Sequence, residues 1–138
     1  MKQLFCGLIS VVVIVLTFNI ASAQQQKTEL AEGPEIVGVL MYADWCGKCK
    51  TLDPKLENVK PEFKDRAILF TQFDMTDEFT TEQSSMLAGL LELDDLFHEH
   101  EGSTGYMVLL DARTNEVLKT LKHDQSEEEL THVIESVL

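Results

Sequence analysis

Two cysteines three positions apart, Cys46 and Cys49, stand where the sequence changes its hydrophobic period, and that junction restricts the fold more than any other feature. Ahead of them, Ile36 to Tyr42 is a short apolar run with Val37, Val39 and Leu40, of the kind expected for a strand buried on both faces. Behind them, Leu52, Leu56 and Val59 recur at helical spacing until Pro61 stops the pattern. The segment Trp45-Cys46-Gly47-Lys48-Cys49 therefore sits at a strand-to-helix junction, and Pro54 should kink the helix that follows, because it lacks a backbone donor.

The remaining pattern completes an α/β domain. Ala67 to Phe73 reads as a second buried strand, joined to the first by a right-handed parallel crossover through the helix. A helix from about Thr80 to Phe97 is expected, with Met86, Leu90, Leu93 and Phe97 along its buried side. After a polar loop from His98 to Gly105, Tyr106 to Leu110 and Glu116 to Leu121 form a hairpin about the turn Asp111 to Asn115. Ser126 and Glu129 make a capping box, and Leu130, Val133, Ile134 and Val137 stripe a last helix. The order is βαβαββα, a mixed four-stranded sheet flanked by helices, with no internal repeat.

With 138 residues, the chain is one domain at most once any targeting segment is removed. Residues 1–23 read as a signal peptide: Lys2 is the positive start, Leu8 to Leu16 the apolar core, and Ala21-Ser22-Ala23 the cleavage end. An uncleaved anchor is the alternative, and the only way this reading touches a membrane. Residues 24–35 read as a linker, and residues 36–138 as the domain. Cleavage before Gln24 would remove Cys6 and leave two cysteines in a periplasmic or secreted protein. The net charge of -13 disfavours nucleic-acid binding, and either serves solubility alone or favours basic clients.

Two thiols spaced in this way at a helix start can close a small disulfide and reopen it with little backbone change. The first lies where unsatisfied backbone donors and the helix dipole favour a thiolate, so Cys46 is the expected nucleophile and Cys49 the resolving thiol. Lys48 and Lys50 favour the thiolate and Asp44 opposes it. Trp45 reads either as a core-edge aromatic or as a lid over the disulfide.

The segment Tyr42-Ala43-Asp44-Trp45-Cys46-Gly47-Lys48-Cys49-Lys50, with Pro54 five residues beyond the second cysteine, resembles the active-site segment of the thioredoxin superfamily. The resemblance extends through Phe73-Asp74 and Met107 to Asp111, and the element order covers Ile36 to Leu138. It implies a thioredoxin-like fold and a protein thiol-disulfide oxidoreductase without a cofactor, acting on protein clients that carry thiols or disulfides and served by a separate redox partner. It also implies that Trp45, Gly47, Lys48, Thr104 and Gly105 contact the client. Three positions depart from the family pattern: Leu40 replaces a buried acid, Gln72 stands near the position of a basic partner, and Gly105, preceded by Thr104, replaces the cis-proline facing the cysteines. On this basis, proline placed at 105 should tighten the loop and improve client reduction. Two other readings compete with catalysis. One is a metal site built from Cys46, Cys49, His98 and His100; the other is a non-catalytic binding module with a static disulfide.

Overall fold

The sheet is ordered by burial, with its most apolar strand at its centre. The computed structural model describes residues 33–138, so the expected signal segment and residues 24–32 of the expected linker lie outside the described residues. Strand β1 (Ile36–Tyr42) is buried at every position except its last, which is half-buried. It pairs in parallel with β2 (Ile68–Asp74) and antiparallel with β3 (Tyr106–Asp111), and β3 pairs antiparallel with β4 (Val117–Lys122). The strand order is β2-β1-β3-β4.

Alternation along β1 feeds two cores. Ile36 and Leu40 join Leu52 and Leu56 of α1 (Gly47–Val59) and Leu130 and Ile134 of α4 (Glu127–Glu135) on one face. Val37, Val39 and Met41 meet Phe73, Ala88 and Phe97 on the other. Leu52 and Leu56 are fully buried, so truncating either to alanine should cost about 2–5 kcal/mol. Helix α1 runs on through Pro54, whose exposed position lets water serve the carbonyl of Lys50 that its missing N–H leaves free. A turn of 3-10 helix, Lys60–Phe63, follows it.

The expected single helix from Thr80 to Phe97 is two. Helix α2 (Glu78–Leu90) ends in a Schellman turn and α3 (Asp94–His100) starts after it. Glu92 takes the left-handed conformation, φ 59, while its N–H bonds Gly89 O at 3.3 Å and that of Leu93 bonds Ala88 O at 2.8 Å. Burial of Leu93 against Ala88 and bonding of Glu92 O by Asn115 Nδ2 at 2.7 Å offset the cost of a left-handed glutamate. The break also changes the buried side. Met86 and Leu90, expected in the core, are 71% and 83% exposed, and Ser84 and Ala88 are buried instead.

Candidate active site

Helix α1 begins on Cys46, which is its N-cap in extended conformation (φ -80, ψ 111). Its Sγ accepts the backbone N–H of Cys49 at 3.1 Å, the role an oxygen side chain ordinarily fills. Both cysteines are free thiols, and they differ in environment. Cys46 lies at the rim with 7% of its surface exposed, whereas Cys49 is wholly buried against Ala43 and Tyr42.

This difference separates their acidities. Burial raises the pKa of Cys46, but hydrogen bonds from the Cys49 thiol, the Thr104 hydroxyl and the backbone N–H groups of Cys49 and Lys48 outweigh it, and the net result is lowered. Burial pushes Cys49 up to about 11, aided by its hydrogen bond toward Cys46 and by the Cys46 charge. The Cys49 proton has a second acceptor in Met41 O, 3.6 Å away.

Gly105 closes the other side. It has φ +96, and its N–H donates to the same Met41 carbonyl at 2.8 Å. A Cβ at this position would stand 2.6 Å from Lys48 Cβ and 3.3 Å from Cys46 Sγ, so the backbone of residue 105 approaches the Cys46 sulfur as closely as glycine permits. The expectation that proline would serve better here is corrected: proline cannot take a positive φ and has no N–H to give Met41. No peptide bond among the described residues is cis.

Two residues to which the sequence assigned no site role, Asp74 and Thr76, hold the segment before the cysteines. Asp74 Oδ1 accepts both the N–H and the hydroxyl of Thr76; the Thr76 hydroxyl oxygen accepts the N–H of Asp44 at 3.0 Å; and Thr76 O accepts Trp45 Nε1 at 3.1 Å. Trp45 is accordingly a surface residue, 59% exposed and tethered by its indole nitrogen, rather than a core-edge aromatic. The Asp-x-Thr-Asp turn chemistry of Asp74 to Asp77 was the available signal; its partners Asp44 and Trp45, 32 and 31 positions before Thr76, were not.

The histidines do not assemble with the thiols. His98 and His100 belong to α3 rather than to a loop, His98 is exposed beside Glu101, and His100 Nδ1 pairs with Tyr106 Oη at 2.8 Å. Among the described residues, no group of three or more histidine, cysteine, aspartate or glutamate side chains is placed to hold a metal ion. Leu40 lies in the apolar cluster with Leu52 and Met107, while Cys49 packs in a separate small cluster with Cys46 and Ala43. Gln72, opposite Leu40 in the parallel ladder, is exposed.

A family model for thioredoxin matches residues 17–93. The chain belongs to the thioredoxin family. Among its relatives, Thioredoxin-T of Drosophila melanogaster is 38% identical over 58 residues, covering 41% of this chain and 36% of that one. Protein disulfide isomerase-like 1-4 of Arabidopsis thaliana is 31% identical over 100 residues, covering 70% of this chain and 15% of that one. The chain thus spans a minor part of the length of these family members. The oxidised thioredoxin of Plasmodium falciparum, a solved structure, overlaps it with a TM-score of 0.48 at 19% identity, over 75% of this chain and 81% of that one.

Proposed function

We propose that this thioredoxin-family chain is an exported thiol-disulfide oxidoreductase that exchanges disulfides with protein clients, with Cys46 attacking and Cys49 resolving. The observation that carries the reading is the unequal placement of the two thiols: Cys46 caps the helix and keeps 7% of its surface exposed, whereas Cys49 is wholly buried, and this placement lowers the pKa of the first and raises that of the second to about 11. A nucleophile has to be ionised and reachable, whereas a resolving thiol has to stay protonated until the first is engaged.

In the reducing direction, the Cys46 thiolate attacks one sulfur of a client disulfide, the client's other sulfur leaves as thiolate, and a mixed disulfide forms. That step removes the Cys46 charge that helped keep Cys49 protonated. Cys49 then loses its proton and attacks Cys46 Sγ, which closes the Cys46–Cys49 disulfide and releases the client's second sulfur as a thiol. Two electrons pass from protein to client, and a separate redox partner resets the pair. The reverse sequence oxidises a client dithiol, and the relative potentials set the direction. On this reading Trp45, Gly47, Lys48, Thr104 and Gly105 contact the client, which is supported by the close packing of Gly105 against Lys48 Cβ and Cys46 Sγ. Export rests on the charged start, apolar core and Ala-Ser-Ala end of residues 1–23.

Trapping tests the assignment. Cys49→Ser should accumulate covalent mixed disulfides with client proteins in cells, because the releasing thiol is gone, and Cys46→Ser should accumulate few. Absence of adducts from abundant, reduced Cys49→Ser protein would overturn it.

A further inference from the structure

The molecule carries a net charge of -13, yet the cleft beside its reactive thiol is basic. This cleft, of about 510 Å³, is lined by Gly105 and Tyr106, by Lys48 of α1, and by a wall from β4 and the turn after it that carries Thr120, Lys122 and His123. It adjoins the thiol directly, because Gly105 packs against both Lys48 Cβ and Cys46 Sγ. One acid, Asp124, lines it, and Glu99 lies near enough to Tyr106 to act on its hydroxyl; His100 completes the rim.

The far wall is fixed rather than left as a free loop. The part-buried Lys55 ammonium donates to the carbonyls of His123, at 2.9 Å, and of Gln125, adding a third positive charge behind it. Gln125 Oε1 accepts the Lys122 N–H at 2.6 Å, which closes the turn and holds the base of the Lys122 side chain in place. Lys48 is set by the helix start and by the close approach of Gly105, so two exposed lysines line one cleft whose Gly105 also packs against the Cys46 sulfur.

Screening makes this local sign count for more than the net charge. At physiological salt, charges farther apart than about 8 Å are largely hidden from one another, so a client held at Cys46 experiences the cleft rather than the acidic back of the molecule. We propose that the cleft selects protein clients whose cysteine is flanked by aspartate or glutamate, with Lys48 and Lys122 binding the client carboxylate during attack by Cys46. This inference rests on the redox reading above and deepens it, and it reverses the preference for basic clients that the overall charge suggests.

The test uses short peptides identical except at the positions beside the cysteine, which carry glutamate, glutamine or lysine. Each cysteine is presented as a mixed disulfide with thionitrobenzoate, whose own carboxylate is constant across the set. Attack by Cys46 on the peptide sulfur releases thionitrobenzoate, and its absorbance gives the second-order rate constant for the reduced full chain. The glutamate peptide should react about fivefold faster than the glutamine peptide, the range expected of exposed ion pairs, and the lysine peptide should be slowest. Lys122→Gln should bring the glutamate-to-glutamine ratio down toward one. Lys119→Gln, which removes the same charge from β4 outside the cleft, should leave that ratio unchanged. Equal rates for all peptides would overturn the inference while leaving the redox reading intact, as would equal effects of the two lysine changes. No thionitrobenzoate release from any peptide would overturn both.

Discussion

At position 105 the backbone has φ +96, a hydrogen bond to Met41 O, and no room for a side chain against Lys48 and Cys46. Gly105→Ala should therefore cost about 1–3 kcal/mol, and Gly105→Pro about 2–4, since proline adds a lost buried hydrogen bond to the backbone conflict. Denaturant unfolding of the reduced proteins measures both, and an unchanged midpoint for the proline variant would show that the loop accepts another backbone. The two thiols give a pH signature of opposite sign. Cys49 is pushed up to about 11 from 9.0, so its contribution to folding is fully present below about 9 and is lost as pH rises toward 11. Cys46 is lowered, so its contribution grows as pH rises from its folded value and is complete above 9.0. Between about 9 and 11 the reduced protein should lose stability through Cys49, and Cys49→Ala should flatten the curve in that window; parallel curves for the two proteins would contradict the assignment. That Cys46 would stand at a helix start was legible from the change of period around it. The pKa of Cys49 was not, because it depends on burial against Ala43 and Tyr42.

Between elements, the end of β2 is wired to the start of α1. Asp74 and Thr76 hold Asp44 and Trp45, and the next residue, Asp77, caps α2 through a reciprocal box with Thr80. Thr76→Val removes the hydroxyl that joins Asp74 to the Asp44 N–H, so it should cost about 1–2 kcal/mol and loosen the Trp45 segment. Trp45 is the only tryptophan, so its fluorescence anisotropy reports that loosening directly and should fall. Unchanged anisotropy would show that the Thr76 carbonyl alone suffices to hold the indole. Elements whose signals are local were legible in advance: the Ser126–Glu129 box starts α4 as its spacing requires, with Ser126 Oγ 3.2 Å from the Glu129 N–H. The break between α2 and α3 was not, because a left-handed glutamate carries no sequence mark of a helix end. Burial of Leu93 and the reach of Asn115 from the hairpin turn supply the reason.

For the molecule as a whole, the export reading predicts that protein recovered from the exported fraction begins at or near Gln24. N-terminal sequencing or intact mass checks this, and membrane-bound protein that retains Met1 would establish the uncleaved anchor. The sheet order β2-β1-β3-β4 places β1 at the centre, as its unbroken apolar run and the parallel crossover require, and so carries Cys46 to the end of the most buried strand. The sequence by itself determined the element order and the seating of the cysteines at a strand-to-helix junction, because periodicity, capping and turn chemistry act over a few neighbouring residues. Only the tertiary structure decided which thiol keeps an exposed edge, where α2 stops, what tethers Trp45 and that Lys48 and Lys122 share one cleft of an acidic molecule. Those depend on groups distant in the chain, such as Asp44 with Thr76, 32 positions apart, and Lys55 with His123, 68 apart, which meet only when the sheet brings its strand ends together.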